Sequence, residues 1–251
     1  MRAHGGEPMS MTHGDCGPED RKALVLGPDG SRRLRRVSFA ALFDSLMRGR
    51  RGAPRPHTEA ELSPFRAGFV RMFTDLRREH GVRSYLAHNM TVTPANLVQV
   101  AGVVADVSTM GYSMMSFQPA AFVGDDRRWK EGYRDVDIDA VWAQIESGMG
   151  QKIAWEAVHF GDTRCNRTAF GFLVGPRWVP LLDPRNPGDL TARDRFFAHL
   201  GGVNFSGTPP LLLAGKLARV AAHHPGDVGV FLAWAARASR RSGGLAALAV
   251  A

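Results

Sequence analysis

This 251-residue sequence predicts an α/β protein built from consecutive strand–helix–strand units. Three observations lead there. Short apolar runs that end in polar residues, "VSFAALFDS", "RSYLAHNMTV" and "YSMMSFQPA", alternate with helical stripes, and strands buried in a parallel sheet read as such runs. The phrase Ser63-Pro64 returns as Thr93-Pro94, and Gly81 returns as Gly111, each after thirty residues. That is the length of a βαβ unit, whose crossover is right-handed. Finally, 44% hydrophobic and 22% charged residues is ordinary globular composition.

Taken in order, residues 1–36 are Gly-, His-, Pro- and Arg-rich with one apolar run, "ALVLG", and predict little fixed structure. From Val37 the first buried strand begins. After a basic loop, Ser63-Pro64 opens a helix as N-cap and first-turn proline. Leu62, Phe65, Phe69, Met72, Phe73 and Leu76 form its apolar stripe, and Gly81 closes it. The second strand follows. Thr93-Pro94 then opens another helix with Leu97, Val100, Val103, Val104 and Val107 inward and Gly111 at its end. The third strand runs to Pro119. Consecutive units build a parallel sheet or a piece of a β/α barrel, and in both the function collects at the strands' C-terminal ends. Those ends carry Asp44 with Ser45, Asn89 with Thr91, and Ser116 with Gln118 and Pro119.

After Pro119 the repeat stops. "AFVGDDRRWKEGYRDVD" reads as a charged loop and "DIDAVWAQIESGMG" as a helix capped by Asp137 or Asp139. "TAFGFLVGPRWVPLLD" reads as a hairpin turning at Gly175-Pro176. Helices are predicted over 191–200, 209–222 and 226–240. The expected organisation is a leader (1–36), a β/α portion (37–122), a C-terminal α+β extension (123–243) and a tail (244–251).

Composition excludes several classes. Two cysteines, Cys16 and Cys165, cannot build a disulfide framework, so a reducing cytoplasm is expected. No run approaches the roughly 20 apolar residues of a membrane span, and "MRAHGGEPMS" lacks the apolar core of a signal peptide. The formal charge of +8 comes from 32 basic residues of which only four are Lys. Such an Arg bias follows a GC-rich genome as readily as a phosphate ligand. The basic residues are scattered apart from "SRRLRR" and "RGRRG", which read as solvated faces.

"LFDSLMRGRRG", "REHGVRSYLAHNMTVTPANLVQVAGVV", "GYSMMSFQPAAFVGDDRRW" and "GDTRCNRTAFGFLVGPRWVPLLD" together resemble the C-terminal half of an actinobacterial-type radical S-adenosylmethionine protein, over about 37–243. The resemblance implies a partial (β/α) barrel with a C-terminal β-hairpin and helical extension. It also implies S-adenosylmethionine as cofactor, bound to a [4Fe-4S] cluster that three cysteines hold as Cys-x3-Cys-x2-Cys, and an unidentified substrate. Reductive cleavage of the sulfonium then gives a 5′-deoxyadenosyl radical, chemistry that belongs to the cofactor. By position, Asp44 and Ser45 resemble a strand end facing the cofactor's ribose or methionine part. Asn89 and Thr91 resemble the next cofactor-facing tip, and Ser116, Phe117, Gln118 and Pro119 the strand that holds adenine.

The sequence departs from the family in having no Cys-x3-Cys-x2-Cys. Two cysteines cannot supply three ligands, so the cluster is not expected on this chain alone. The expected function is that of a C-terminal portion of a radical S-adenosylmethionine protein, inactive by itself, its start misassigned or its frame interrupted. The alternatives are a non-catalytic pseudoenzyme or partner protein and a basic nucleic-acid binder. Half a barrel also leaves strand "VSFAALFDS" as an open edge that invites self-association.

Each site has a purely structural alternative. Asn89 and Thr91 could brace the Thr93 cap, Asp44-Ser45 could signal a turn, and Gln118-Pro119 could simply end a strand. Cys165, with His159 and Asp162 nearby in sequence, is the one candidate ligand for an auxiliary metal group; burial as a small apolar residue is the competing expectation. The acidic run "DVDID" is accounted for by helix capping, and His223-His224 before Pro225 by a helix end.

Overall fold

The computed structural model describes residues 9–14, 17–46, 56–120, 136–205 and 208–244. The chain divides into two compact units, one spanning Pro8–Gly150 and one containing Gln151–Ala251.

The first unit is built on a four-stranded sheet of β1 (Met9–Thr12), β2 (Arg36–Leu42), β3 (Arg83–Val92) and β4 (Met114–Pro119). All three pairings are parallel and the spatial order follows the chain, β1-β2-β3-β4. Helices α1 (Pro18–Val25), α2 (Ser63–His80) and α3 (Val100–Val107) connect them. Side chains alternate across a strand, and every strand residue in the two hydrophobic clusters belongs to one face. Val37, Phe39, Ala41 and Leu86 meet Val25 of α1 and Phe69, Phe73 and Leu76 of α2. Met90, Val92, Met115 and Phe117 meet Val100, Val103, Val104 and Val107 of α3. Helix α4 (Ile138–Met149) joins this second cluster through Val141. The helices therefore lie on one face of the sheet. The opposite face carries Ser38, Ala40 and Leu42 of β2, Tyr85, Ala87, Asn89 and Thr91 of β3, and Met114, Ser116 and Gln118 of β4, by the observed register.

Several local expectations meet their elements. Helix α2 ends at Gly81 with φ 64°, and α4 at Gly150 with φ 64°, both left-handed positions that favour glycine. Asp137 is the α4 N-cap, accepting from the Ala140 amide at 2.8 Å. Helix α2 is entered from a 3₁₀ turn, Ala60–Leu62, so Leu62 caps it and Ser63 is its first residue. Helix α3 starts later than Thr93-Pro94 predicts. The Asn96 side chain accepts from the Thr93 amide at 2.8 Å, and a 3₁₀ turn, Leu97–Gln99, intervenes. A short polar side chain that bonds locally competes with helix initiation.

Two expectations are corrected. The leader contains β1 and α1, and its apolar run places Val25 and Leu26 in the core. Composition misleads here because Arg21 is itself buried, its guanidinium 4.7 Å over the Phe69 ring and 5.1 Å over Phe73. Consequently β2 is not an open edge: β1 covers it from Met9↔Ser38 to Thr12↔Ala41. The boundary expected near 122, the charged loop and the tail from 245 fall outside the described residues, and α4 groups with the sheet.

The second unit holds an antiparallel hairpin, β5 (Gly171–Val174) and β6 (Arg177–Pro180), turning at Gly175 with φ 60°. Helices α5 (Pro187–Arg195), α6 (Pro210–His223) and α7 (Pro225–Ser242) follow. Asp189 of α5, fully buried, accepts from Arg237 and Arg241 of α7 at 2.8 Å each and from the Asp183 amide at 3.0 Å. Among the described residues no helix is long and apolar enough to cross a membrane.

Candidate functional site

The C-terminal edge of the sheet gathers most of the polar residues the sequence pointed to. Leu42, Asn89 and Ser116 stand side by side on β2, β3 and β4, and Thr91 stands beside Gln118. The chain continues past β2 along the same edge, with the Phe43 amide donating to the Asn89 carbonyl at 2.8 Å. That brings the Asp44 carboxylate to the Thr91 amide at 3.4 Å and the Leu46 amide at 3.1 Å. Asp44, Asn89, Thr91, Ser116 and Gln118 thus form one row across three strands. Gln118 donates to the Ser116 hydroxyl at 3.1 Å. Pro119 does not belong to the row. It pairs with Val92 and alternates onto the helix-covered face, as does Phe117.

Beneath this row lies a buried charged network absent from the sequence reading. Arg66 of α2 is fully buried, and its guanidinium donates to the Glu59 carboxylate (2.8 Å), the Glu59 carbonyl (2.7 Å), the Phe43 carbonyl (3.3 Å) and His88 Nε2 (3.1 Å). Accepting at Nε2 fixes the His88 imidazole as neutral, with its proton on Nδ1. Glu59 also accepts from the Ser45 amide at 2.8 Å and the Asn96 amide group at 3.1 Å. Asn96 in turn donates to the Thr91 carbonyl at 3.0 Å. Burial pulls the Arg66 pKa down, and the adjacent Glu59 charge opposes that. The backbone at the β2 and β3 ends is thereby tied to the α2 entry. The signal was readable in part. Arg66 sits on the α2 stripe between Leu62 and Phe69, where a charge has to be buried with a partner.

Three groups of the edge are not absorbed by this network. Burial pushes the Asp44 carboxyl above the usual carboxylate range; the Thr91 hydrogen bond opposes the shift and the Glu59 charge adds to it. Asn89 is only 6% exposed, yet its side-chain amide has no hydrogen-bond partner among the described residues. The Thr93 hydroxyl, 3% exposed, also lacks one. The Thr93 oxygen is cut off from solvent, whereas the Asn89 amide is not among the polar atoms shut off from it. An amide without a protein partner beside a carboxyl group offers both donors and acceptors to a bound molecule.

Cys165 is exposed, in a turn where Asp162 pairs with Arg164 at 2.6 Å. Burial as an apolar residue is thereby corrected, and no group of three or more metal-ligating side chains includes it among the described residues. Cys16 falls outside the described residues. The residues present do not fit a [4Fe-4S] cluster of the Cys-x3-Cys-x2-Cys kind, because the sequence holds two thiols and one of them is this isolated one. No protein-family model, curated protein or solved structure matches the chain.

Proposed function

We propose that this chain is a radical-S-adenosylmethionine-type half barrel that has kept the ligand-binding edge without the cluster, and binds a small nucleoside-bearing molecule there. S-adenosylmethionine is the first candidate ligand. The sequential parallel order and the one-sided helix layer support the partial-barrel reading. The observation that carries the binding reading is Asn89, largely buried yet with no protein partner for its amide, at the strand ends where α/β proteins bind ligands. In that role Asn89 pairs with an adenine edge or an amino-acid group. Asp44, on the same edge, accepts from a ribose hydroxyl. The Arg66–Glu59 network holds both strand ends in place and touches no ligand. S-adenosylmethionine brings a sulfonium and an adenosyl group; without the thiolates nothing on this chain routes an electron to it.

The test is calorimetric titration of the full chain with S-adenosylmethionine and with 5′-deoxyadenosine. Saturable binding of at least one, lost in Asn89→Leu, is expected. Iron and sulfide after anaerobic reconstitution are expected to stay well below one cluster per chain. Absence of binding by both nucleosides would remove the proposal, and so would a stoichiometric cluster.

A further inference from the structure

A second constellation lies in the Gln151–Ala251 unit and has no part in the edge described above. Helix α5 does not stop at Arg195; it continues as a π-helical turn, Phe196–Leu200. Such turns are rare and are frequent at functional sites, because the extra residue re-aims the side chains that follow it. His199 sits in this turn. Helix α7 is preceded by His224, and the Asp227 amide donates to the His224 carbonyl at 3.0 Å, so these two residues share one turn of backbone. His199 Nδ1 lies 2.5 Å from Asp227 Oδ2, and the His199 and His224 rings stack at 3.7 Å with planes 5° apart. One ligand atom from each of the three side chains lies within 4.8 Å of the others. Asp227 is 4% exposed, whereas both imidazoles are half-buried and within reach of solvent. Arg195 approaches the other carboxylate oxygen, Oδ1, at 3.7 Å, which leaves Oδ2 toward the histidines.

Stabilisation of a helix start accounts for an acidic residue at Asp227. It does not account for two histidines from separate elements converging on that carboxylate, one of them delivered by a π turn.

The geometry points to a binding site for a divalent transition-metal ion of the zinc class, held by His199, His224 and Asp227. Two imidazoles and one carboxylate oxygen suit a borderline ion, with the remaining positions left to water or an added ligand. Calcium and magnesium prefer all-oxygen sets. The lone pairs of two parallel rings lie in planes that do not meet, so one imidazole turns about its Cβ–Cγ bond as the ion enters. The ion takes the place of the hydrogen between His199 and Asp227, and the neutral imidazole then carries its hydrogen on Nε2.

The experiment is titration of the chelator-treated full chain with Co²⁺, followed by its visible absorption, and with Zn²⁺ by calorimetry. One ion per chain is expected, with Zn²⁺ displacing Co²⁺. His199→Ala and His224→Ala should each weaken binding by roughly tenfold or more. Arg195→Gln removes a cation beside the carboxylate and should tighten it, a gain that unfolding cannot mimic. No uptake near one equivalent by the unaltered chain would overturn the assignment. Uptake unchanged in the His199→Ala/His224→Ala double variant would do so as well, as would weaker binding in Arg195→Gln.

Discussion

Glu59 and Asn89 lie at the same edge of the same sheet, both nearly inaccessible to water, and the fold treats them in opposite ways. The Glu59 carboxylate accepts from Arg66, Asn96 and the Ser45 amide. Asn89, with two donors and an acceptor, has no side-chain partner among the described residues. A fully satisfied network fixes geometry. An amide without a protein partner, its polar atoms not shut off from solvent, adds little to that geometry and is open to a bound molecule. On the proposed reading, the contrast divides residues that build the edge from residues open to a ligand.

The largest effect belongs to the network. Arg66→Met leaves Glu59 charged and buried without its cation, and is expected to cost about 3–5 kcal/mol in urea unfolding. Next is the close approach of α4 to α3. A Cβ at Gly148 would collide with the Ala101 carbonyl oxygen and lie 2.8 Å from Val104 Cβ, so Gly148→Ala should cost about 1–3 kcal/mol by the same measurement.

Asp44 gives a smaller, pH-dependent effect. Its folded pKa is raised, so the stability it contributes is fully present below the ordinary carboxylate value and is lost as pH rises through the folded value. Asp44→Asn resembles the protonated carboxyl in shape. Its stability, measured by unfolding at a series of pH values, should therefore show less decline across that window than the parent protein. The smallest effect on stability belongs to Asn89→Leu. Removing an unpaired amide should change it by less than about 1 kcal/mol, in either direction, while abolishing nucleoside binding.

Much of this was legible in the sequence, for identifiable reasons. The β2, β3 and β4 strands and the α2 stripe announce themselves through apolar runs and 3.6-residue spacing, and Gly81, Gly150 and Gly175 take positive φ values where turns require them. The shared placement of Asp44, Asn89, Thr91, Ser116 and Gln118 was legible because a polar residue after an apolar run marks a strand's C-terminal end. Pro119 was misplaced by alternation: one step along the strand moves a side chain to the other face. The network stayed hidden because Glu59 and Asn96 are thirty-seven residues apart and meet only through tertiary structure. His199 and Asp227 were missed for the same reason, since a π turn leaves no mark in residue spacing. The leader was misjudged because Arg counts as charge in composition, whereas Arg21 acts as a flat surface over two phenylalanines.

The most direct test of the division between building and using residues is urea unfolding of Asn89→Leu beside Arg66→Met in the full chain, without added ligand. The account predicts a midpoint near the parent's for Asn89→Leu and a large loss for Arg66→Met. Comparable losses in both would contradict it, because Asn89 would then be a structural member of the edge like Glu59.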